Sequence, residues 1–238
     1  LMKGSIPAEY GGRASSVLDI RMKEGNLKDF GVTGNLGLIS SNVTVEGPLA
    51  KDRSSFIISG RRTYADLFLN FSGDEDIRET HLYFYDLNLK TNYKINDNNR
   101  IYLSAYLGRD DFGYKKDFGF DWGSKTGTFR WNHNFSEKLF SNTSFIYSHY
   151  SYNITIMRDL DVEILSSIRD LNLKQDFSYY ANANHTLKFG GNIIYHSVLP
   201  GEITVNESAG FTPPADISER KAIEWAAYFS NNQKVSDK

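Results

Sequence analysis

Residues 83–95 read Tyr-Phe-Tyr-Asp-Leu-Asn-Leu-Lys-Thr-Asn-Tyr-Lys-Ile, and this alternation restricts the fold more than any other stretch of the chain. Tyr83, Tyr85, Leu87, Leu89, Thr91, Tyr93 and Ile95 share one face; Phe84, Asp86, Asn88, Lys90, Asn92 and Lys94 share the other. Successive side chains of a strand point to opposite sides, so period two over this length predicts one long strand with an apolar and a polar face. A tilted strand crosses a bilayer in about 9–11 residues. Tyr towards both ends of the apolar face matches an interfacial aromatic girdle.

The pattern recurs. Ile101, Leu103, Ala105 and Leu107 oppose Tyr102, Ser104 and Tyr106. Phe129, Trp131 and Phe135 oppose Thr128, Arg130, Asn132 and Asn134. Leu171, Leu173, Phe177 and Tyr179 oppose Asn172, Lys174, Asp176 and Ser178, and Leu187, Phe189, Ile193 and Tyr195 form a further apolar face. Residues 225–229 mark a last strand. Within 140–157 the alternation slips near Tyr150, which predicts a bulge there.

The connections alternate in length. Short ones are predicted at 51–54, 97–99, 136–138 and 184–185; long ones at 73–80, 113–123, 158–167 and 198–219. Short turns on one side and long loops on the other are the habit of outer-membrane barrels. If the chain enters the wall from the short-turn side, an even number of strands must precede the turn at 51–54. Residues 30–49 are therefore read as a hairpin: 30–38 up, a tight turn at 39–41, and 42–49 down. The sum is roughly ten strands of spanning length.

Composition agrees. Aromatic residues make up 14% of the chain, yet the mean hydropathy is −0.46, because the rings are dispersed among Asn, Ser, Asp and Lys. A wall with one face in lipid and one in water has that composition. A net charge of −2 excludes the basic surface that nucleic-acid binding needs. The absence of cysteine removes disulfides, thiolate metal sites and thiol nucleophiles. No run approaches the roughly 18 apolar residues of a membrane helix. No secretory signal is visible at Leu1-Met2-Lys3-Gly4, and the abrupt ends predict a fragment of a longer exported protein.

Several patterns imitate chemistry. Asn-x-Ser/Thr triplets begin at Asn42, Asn70, Asn134, Asn142, Asn153, Asn184 and Asn206. Polar strand faces rich in these residues generate such triplets at every second position, so they are read as wall and not as glycosylation sites. His81, His133, His149, His185 and His196 lack ligand spacing. Asp159, Asp161 and Glu163 alternate as Ca²⁺ ligands can, without the glycine an EF-hand loop requires. Asp74-Glu75-Asp76 reads as a solvated loop tip. No nucleophile–base–acid set, phosphate loop or metal cluster is found, so no enzyme, cofactor or metal is expected. Arg61 and Arg62 are neighbours and point to opposite faces: one reading is a lumen-facing cation that pairs with carboxylates of the N-terminal segment, the other a girdle cation near a strand end.

Two blocks resemble the TonB-dependent outer-membrane receptors. The first is Tyr10-Gly11-Gly12-Arg13-Ala14-Ser15-Ser16-Val17-Leu18-Asp19-Ile20, which is similar to the last plug strand of that family. The second runs from Gly37-Leu38-Ile39-Ser40-Ser41 through Glu46-Gly47-Pro48-Leu49 to Ser59-Gly60-Arg61-Arg62-Thr63-Tyr64. The wording is nearest to Bacteroidetes-type receptors and departs from their starch-utilisation subclass. The resemblance implies an all-β transmembrane antiparallel barrel of larger, 22-stranded type, with residues 1–28 the end of a plug and 29–238 the first part of the barrel. It implies an outer-membrane location in a Gram-negative bacterium and lipid contact. It implies coupling to TonB-ExbB-ExbD through a segment absent here, and import of a scarce nutrient: a siderophore, cofactor, peptide or oligosaccharide. A surface lipoprotein or larger membrane assembly is a further partner class, and a structural scaffold barrel is the alternative function. Gly11, Gly12, Arg13, Arg61 and Arg62 are the expected plug–barrel junction. Phe118, Phe120, Trp122 and Phe211 are the expected ligand-facing residues of outer loops.

Overall fold

The computed structural model describes residues 2–4, 6–12, 16–115, 117–157, 161–205 and 218–234. Its main body is one ten-stranded sheet in which every strand pairs antiparallel with its neighbours in sequence. In chain order the first two strands, β1 (Met2–Lys3) and β2 (Ser16–Val17), form a separate small ribbon. The sheet then runs through β3 (Gly31–Leu36), β4 (Ser40–Ala50), β5 (Ser54–Thr63), β6 (His81–Asn96) and β7 (Asn99–Tyr114). It continues through β8 (Phe118–Asn134), β9 (Leu139–Ile156), β10 (Val162–Asn182), β11 (His185–Val205) and β12 (Arg220–Gln233). The chain is 72% strand and forms part of a β-barrel. Two short helices, α1 (Asp66–Leu69) and α2 (Glu75–Arg78), occupy the connection between β5 and β6. No helix among the described residues is long and apolar enough to cross a membrane.

The short turns share one local device. Asn96 Oδ1 accepts from the Asn98 amide at 3.0 Å, Asn182 Oδ1 from the Asn184 amide at 3.0 Å, and Ser136 Oγ from the Leu139 amide at 3.2 Å. A short polar side chain that bonds to the backbone two or three residues on reverses the chain without help from the rest of the fold. In the turn after β4, Asp52 takes the left-handed conformation at φ 60°, which Asp tolerates better than most residues.

No apolar side chain among the described residues is buried. The sheet is one layer, and the large apolar residues of its lower part lie on one open face: Leu173 is 51% exposed and Ile193, its partner on β11, 55%. Hydrophobic burial therefore does not hold the sheet together in isolation. The ladder hydrogen bonds do, and the apolar face is completed only by an apolar surrounding.

Five expectations are corrected. Residues 162–167 of the predicted 158–167 connection are strand, since β10 begins at Val162. The 113–123 loop is instead the continuation of the β7–β8 hairpin, with only residues 115–117 between the strands, so Phe118, Phe120 and Trp122 are strand residues. β11 extends to Val205 and β12 begins at Arg220, well before residue 225. The first hairpin turns at 37–39, two residues earlier than predicted. No bulge occurs at Tyr150: β9 keeps one unbroken register with both β8 and β10 over its whole length. The register shift lies instead between β10 and β11, around Leu165 and Ser167.

Candidate functional site

The slip at Tyr150 has a different cause. Along β7 to β10 the apolar residues change sides at one level of the wall. On β9, Phe145 and Tyr147 share a face with Leu171, Leu173, Phe129 and Leu103. Above that level Tyr150, Tyr152, Ile154 and Ile156 lie on the opposite face, while His149, Ser151, Asn153 and Thr155 replace the apolar series. β8 does the same: Trp131 and Phe129 give way to Lys125 on their own face, and Trp122, Phe120 and Phe118 appear on the other. The hydropathy phase inverts while the pleat continues, as it would for a strand that passes from an apolar surrounding into water.

The inner face is identified by what lies against it. Glu9 and Tyr10 lie against it at β11 and β10, and residues 22–26 at β4 to β7. Lys188 Nζ donates to the Glu9 carboxylate at 3.0 Å, Lys90 Nζ to the Met22 carbonyl at 2.8 Å, and Lys23 Nζ to Glu46 Oε1 at 2.7 Å. Glu24 lies 3.8 Å from Lys90 and 4.0 Å from Arg100. Lys174 stands over the Tyr10 ring at 5.8 Å, and burial pushes the Tyr10 hydroxyl above its usual pKa. All these contacts fall on the lower, polar part of the inner face. Gly25 is buried against β5, where any Cβ would overlap the Phe56 carbonyl.

The upper inner face is an aromatic wall. Trp122 and Tyr152 are register partners, as are Phe112 and Phe120. The Phe120 ring is 4.8 Å from Trp122 and 6.3 Å from Tyr152, edge-on to the latter, and Phe112 is 6.3 Å from Phe118. At its edge stand Phe84 and Arg61. The Arg61 guanidinium lies 4.9 Å from the Phe84 ring centre, with its Nε donating to Asp86 Oδ2 at 2.7 Å. Asp110 pairs in register with both Phe84 and Trp122 and adds a carboxylate to the wall. Rings in this arrangement can stack against planar ligand groups, and Arg61 can meet an anionic one.

Arg61 thus faces inward and pairs with Asp86 of the wall itself, not with a carboxylate of residues 1–28; Arg62 faces outward over the Tyr83 ring at 5.6 Å. Gly11 and Gly12 form a turn, Gly12 in the left-handed region at φ 74°. Arg13 and Phe211 lie outside the described residues, as does Asp159. Glu163 accepts from Asn153 at 2.8 Å, and no group of His, Asp and Glu suited to a metal occurs among the described residues. Sequence reasoning missed Phe84, Phe112 and Tyr152, and on the N-terminal side Glu9 and Glu24. The available signal was the presence of Phe84 and Tyr152 on an otherwise polar phase.

No protein-family model and no curated protein matches this chain. Among solved structures it is similar to the ferric yersiniabactin uptake receptor FyuA of Yersinia pestis, with a TM-score of 0.55 and 11% identity, over 90% of this chain and 38% of that one. It is also similar to BauA, the ferric preacinetobactin receptor of Acinetobacter baumannii, with a TM-score of 0.54 and 12% identity, over 88% of this chain and 39% of that one. The chain spans well under half the length of these receptors. The fold is that of a β-barrel wall. More narrowly, it is the wall fold that this chain shares with those two receptor structures.

Proposed function

We propose that this chain is the plug end and first wall of a TonB-dependent outer-membrane receptor that imports a scarce nutrient. The single observation that supports this reading best is the inversion of polarity along β7–β10. It gives the wall a lower zone fit for lipid outside and water inside, and an upper zone that presents rings to the lumen. Residues 1–28 are the C-terminal end of the plug and 29–238 the barrel. The ion pairs of Glu9 and Glu24 with Lys188, Lys90 and Arg100 act as the seam between them. Exposed pairs of this kind contribute roughly 0–1 kcal/mol each, weak enough for a mechanical pull to break one after another.

In this reading the ligand enters from the long-strand side and stacks on Phe112, Phe118, Phe120 and Trp122, with Arg61 at the edge of its binding surface. TonB, driven through ExbB-ExbD, acts on a plug segment that precedes these residues. Both named relatives are receptors for ferric ligands, so a ferric chelate carrying planar rings is the first ligand to test. The resemblance of Glu46-Gly47-Pro48-Leu49 to Bacteroidetes-type receptors sets the first choice of host.

The test is uptake of ⁵⁵Fe-labelled ring-bearing chelates by a strain deleted for the gene and complemented with the wild type, F120A or W122A. Wild type restores uptake, and each variant loses it about ten-fold at equal surface level, as expected for removing an aromatic contact worth about 1.5 kcal/mol. Uptake that is indifferent to the deletion refutes the transport reading and leaves the scaffold role.

A further inference from the structure

The inner face holds one cation that neither the seam nor the aromatic wall uses. Six basic side chains point inward from β6 to β11: Lys90, Lys94, Arg100, Arg130, Lys174 and Lys188. Five of them are paired. Lys90 and Arg100 meet Glu24, Lys94 meets Asp97, Lys174 meets Asp176 and Lys188 meets Glu9. Arg130 is exposed, and among the described residues no carboxylate lies within ion-pair distance of it. A cation placed there to hold the N-terminal segment would be paired like its neighbours.

Arg130 stands in a lane of uniform chemistry. The inward positions of β8 below Trp122 are Ser124, Thr126, Thr128, Arg130, Asn132 and Asn134, and β9 adds Asn142, Ser144 and Ser148. Over 124–134 and 140–150 neither strand turns a carboxylate inward. The flanking strands do: Asp86 on β6, Asp110 on β7, and Asp170 and Asp176 on β10. Asn132 and Asn142 are register partners, and each buries its side-chain oxygen without a donor. The end of each amide that meets the lumen is therefore its NH₂ group. A buried acceptor without a donor costs free energy, and that cost is offset when the NH₂ groups find acceptors in the lumen. Glu9 and Tyr10 lie on one side of the lane, at β11 and β10, and residues 22–26 on the other, at β4 to β7. Among the described residues no hydrogen bond or ion pair joins residues 1–28 to β8 or β9. At the short-turn end the lane meets a pocket of about 230 Å³ lined by Arg100, Tyr102, Asn132 and Asn134, and by Asp97, which Lys94 holds at 2.5 Å.

We infer that β8 and β9 form an anion-selective lane through the lumen and that Arg130 sets its sign: the ligand that passes is an anion rich in acceptor oxygens. The inference rests on the import reading given above and adds the charge of the ligand and the side of the wall it follows. Arg130 lies eight residues below Trp122 on the same face, about 26 Å along the strand, beyond the reach of a ligand held on the rings. It therefore governs passage and not capture.

The experiment uses the intact receptor in dodecyl maltoside carrying T128C, since Thr128 is the next inward residue above Arg130, about 7 Å away. The new thiol is labelled with an anionic reagent, sulfonatoethyl methanethiosulfonate, and a cationic one, trimethylammonioethyl methanethiosulfonate, and mass spectrometry of the labelled peptide reads the two rates. R130Q lowers the anionic-to-cationic rate ratio about seven-fold, as for unit charges about 7 Å apart in water, and R130K leaves it unchanged. An unchanged heat-modifiable gel shift shows that each variant is folded. Uptake of ⁵⁵Fe tris-catecholate, a trianion, by the complemented deletion strain reads passage. R130Q lowers the maximal rate about ten-fold, as for one charge-assisted hydrogen bond, at an unchanged half-saturating concentration, and R130K restores it. An unchanged rate ratio in R130Q, a thiol that does not react in the folded receptor, or a shift in half-saturation alone overturns the proposal. Absence of uptake by wild type overturns the import reading, while the rate ratio still decides the charge of the lane.

Discussion

Leu173 lies near the middle of the apolar zone, between Phe145 on β9 and Ile193 on β11, and is 51% exposed on the outer face. Ser167 points the same way six residues higher on the same strand, in the row of Arg109 and Gly123. Six residues at about 3.3 Å each are roughly 20 Å along the strand. A tilt of about 40° makes that roughly 15 Å along the membrane normal, half of a hydrocarbon core of about 30 Å. Leu173→Arg therefore places a cation near the midplane and Ser167→Arg places one at the interface. The first substitution is expected to destabilise the barrel by about 2–4 kcal/mol, roughly 30- to 900-fold in the folding equilibrium, and the second by about 0–1 kcal/mol. Urea unfolding of the intact protein from phosphatidylcholine vesicles, followed by tryptophan fluorescence at a common m-value, measures both. Equal costs at the two positions, or a cost below about 1 kcal/mol at Leu173, would show that the inversion of polarity is not a membrane boundary.

Gly25→Val forces the segment at 20–28 away from the Phe56 carbonyl, so proteinase K should cleave near Lys23 and Lys28 several-fold faster while the barrel core stays resistant; unchanged protection would sink the close-approach argument. Lys115 in the β7–β8 turn is bonded to Asp76 at 2.8 Å, and that bond raises its pKa above the ordinary lysine value. A raised lysine stabilises below its unfolded pKa and loses that contribution as pH climbs through the folded value, so the tether between α2 and the hairpin tip should release only in strong alkali. In ¹³C-dimethyl-lysine NMR, Lys115 should titrate above the ordinary lysine value and lose that elevation in D76N. Residues 1–238 alone leave one side of β3 and of β12 unpaired, which predicts aggregation or detergent binding without a cooperative transition. A soluble monomer with a sharp melt would contradict the barrel reading.

The wall was legible in the residues because a strand with one apolar and one polar face has a strict local rule. Period two in 83–95 and its repeats, with Asn and Ser at the tight turns, located the strands and one margin of the sheet, since neither feature depends on distant partners. The first hairpin was legible for another reason: parity of the connections required it before any contact was known. The upper half of the wall was misread for a physical cause. The apolar phase flips part-way up the strands, and a flipped phase in a sequence has two equal explanations, an inserted residue or a change of surroundings. At Tyr150 it read as a bulge, and at 113–123 the same flip together with three glycines read as a loop.

Only the paired backbone separates the two. The unbroken register of β9 against β8 and β10 excludes an inserted residue and turns Phe118, Phe120 and Trp122 from loop tips into an inner wall with Phe112 and Tyr152. The pairing also decides that Arg61 faces inward and Arg62 outward, which adjacency alone left open. Glu9 and Lys188 are 179 positions apart in the chain, and no local pattern announces their contact. The sequence alone determined that this chain makes strands with two unlike faces and where they turn. The tertiary structure decided which face is inside at each height, because that depends on the neighbouring strands and on the medium they stand in, not on the order of residues within one strand.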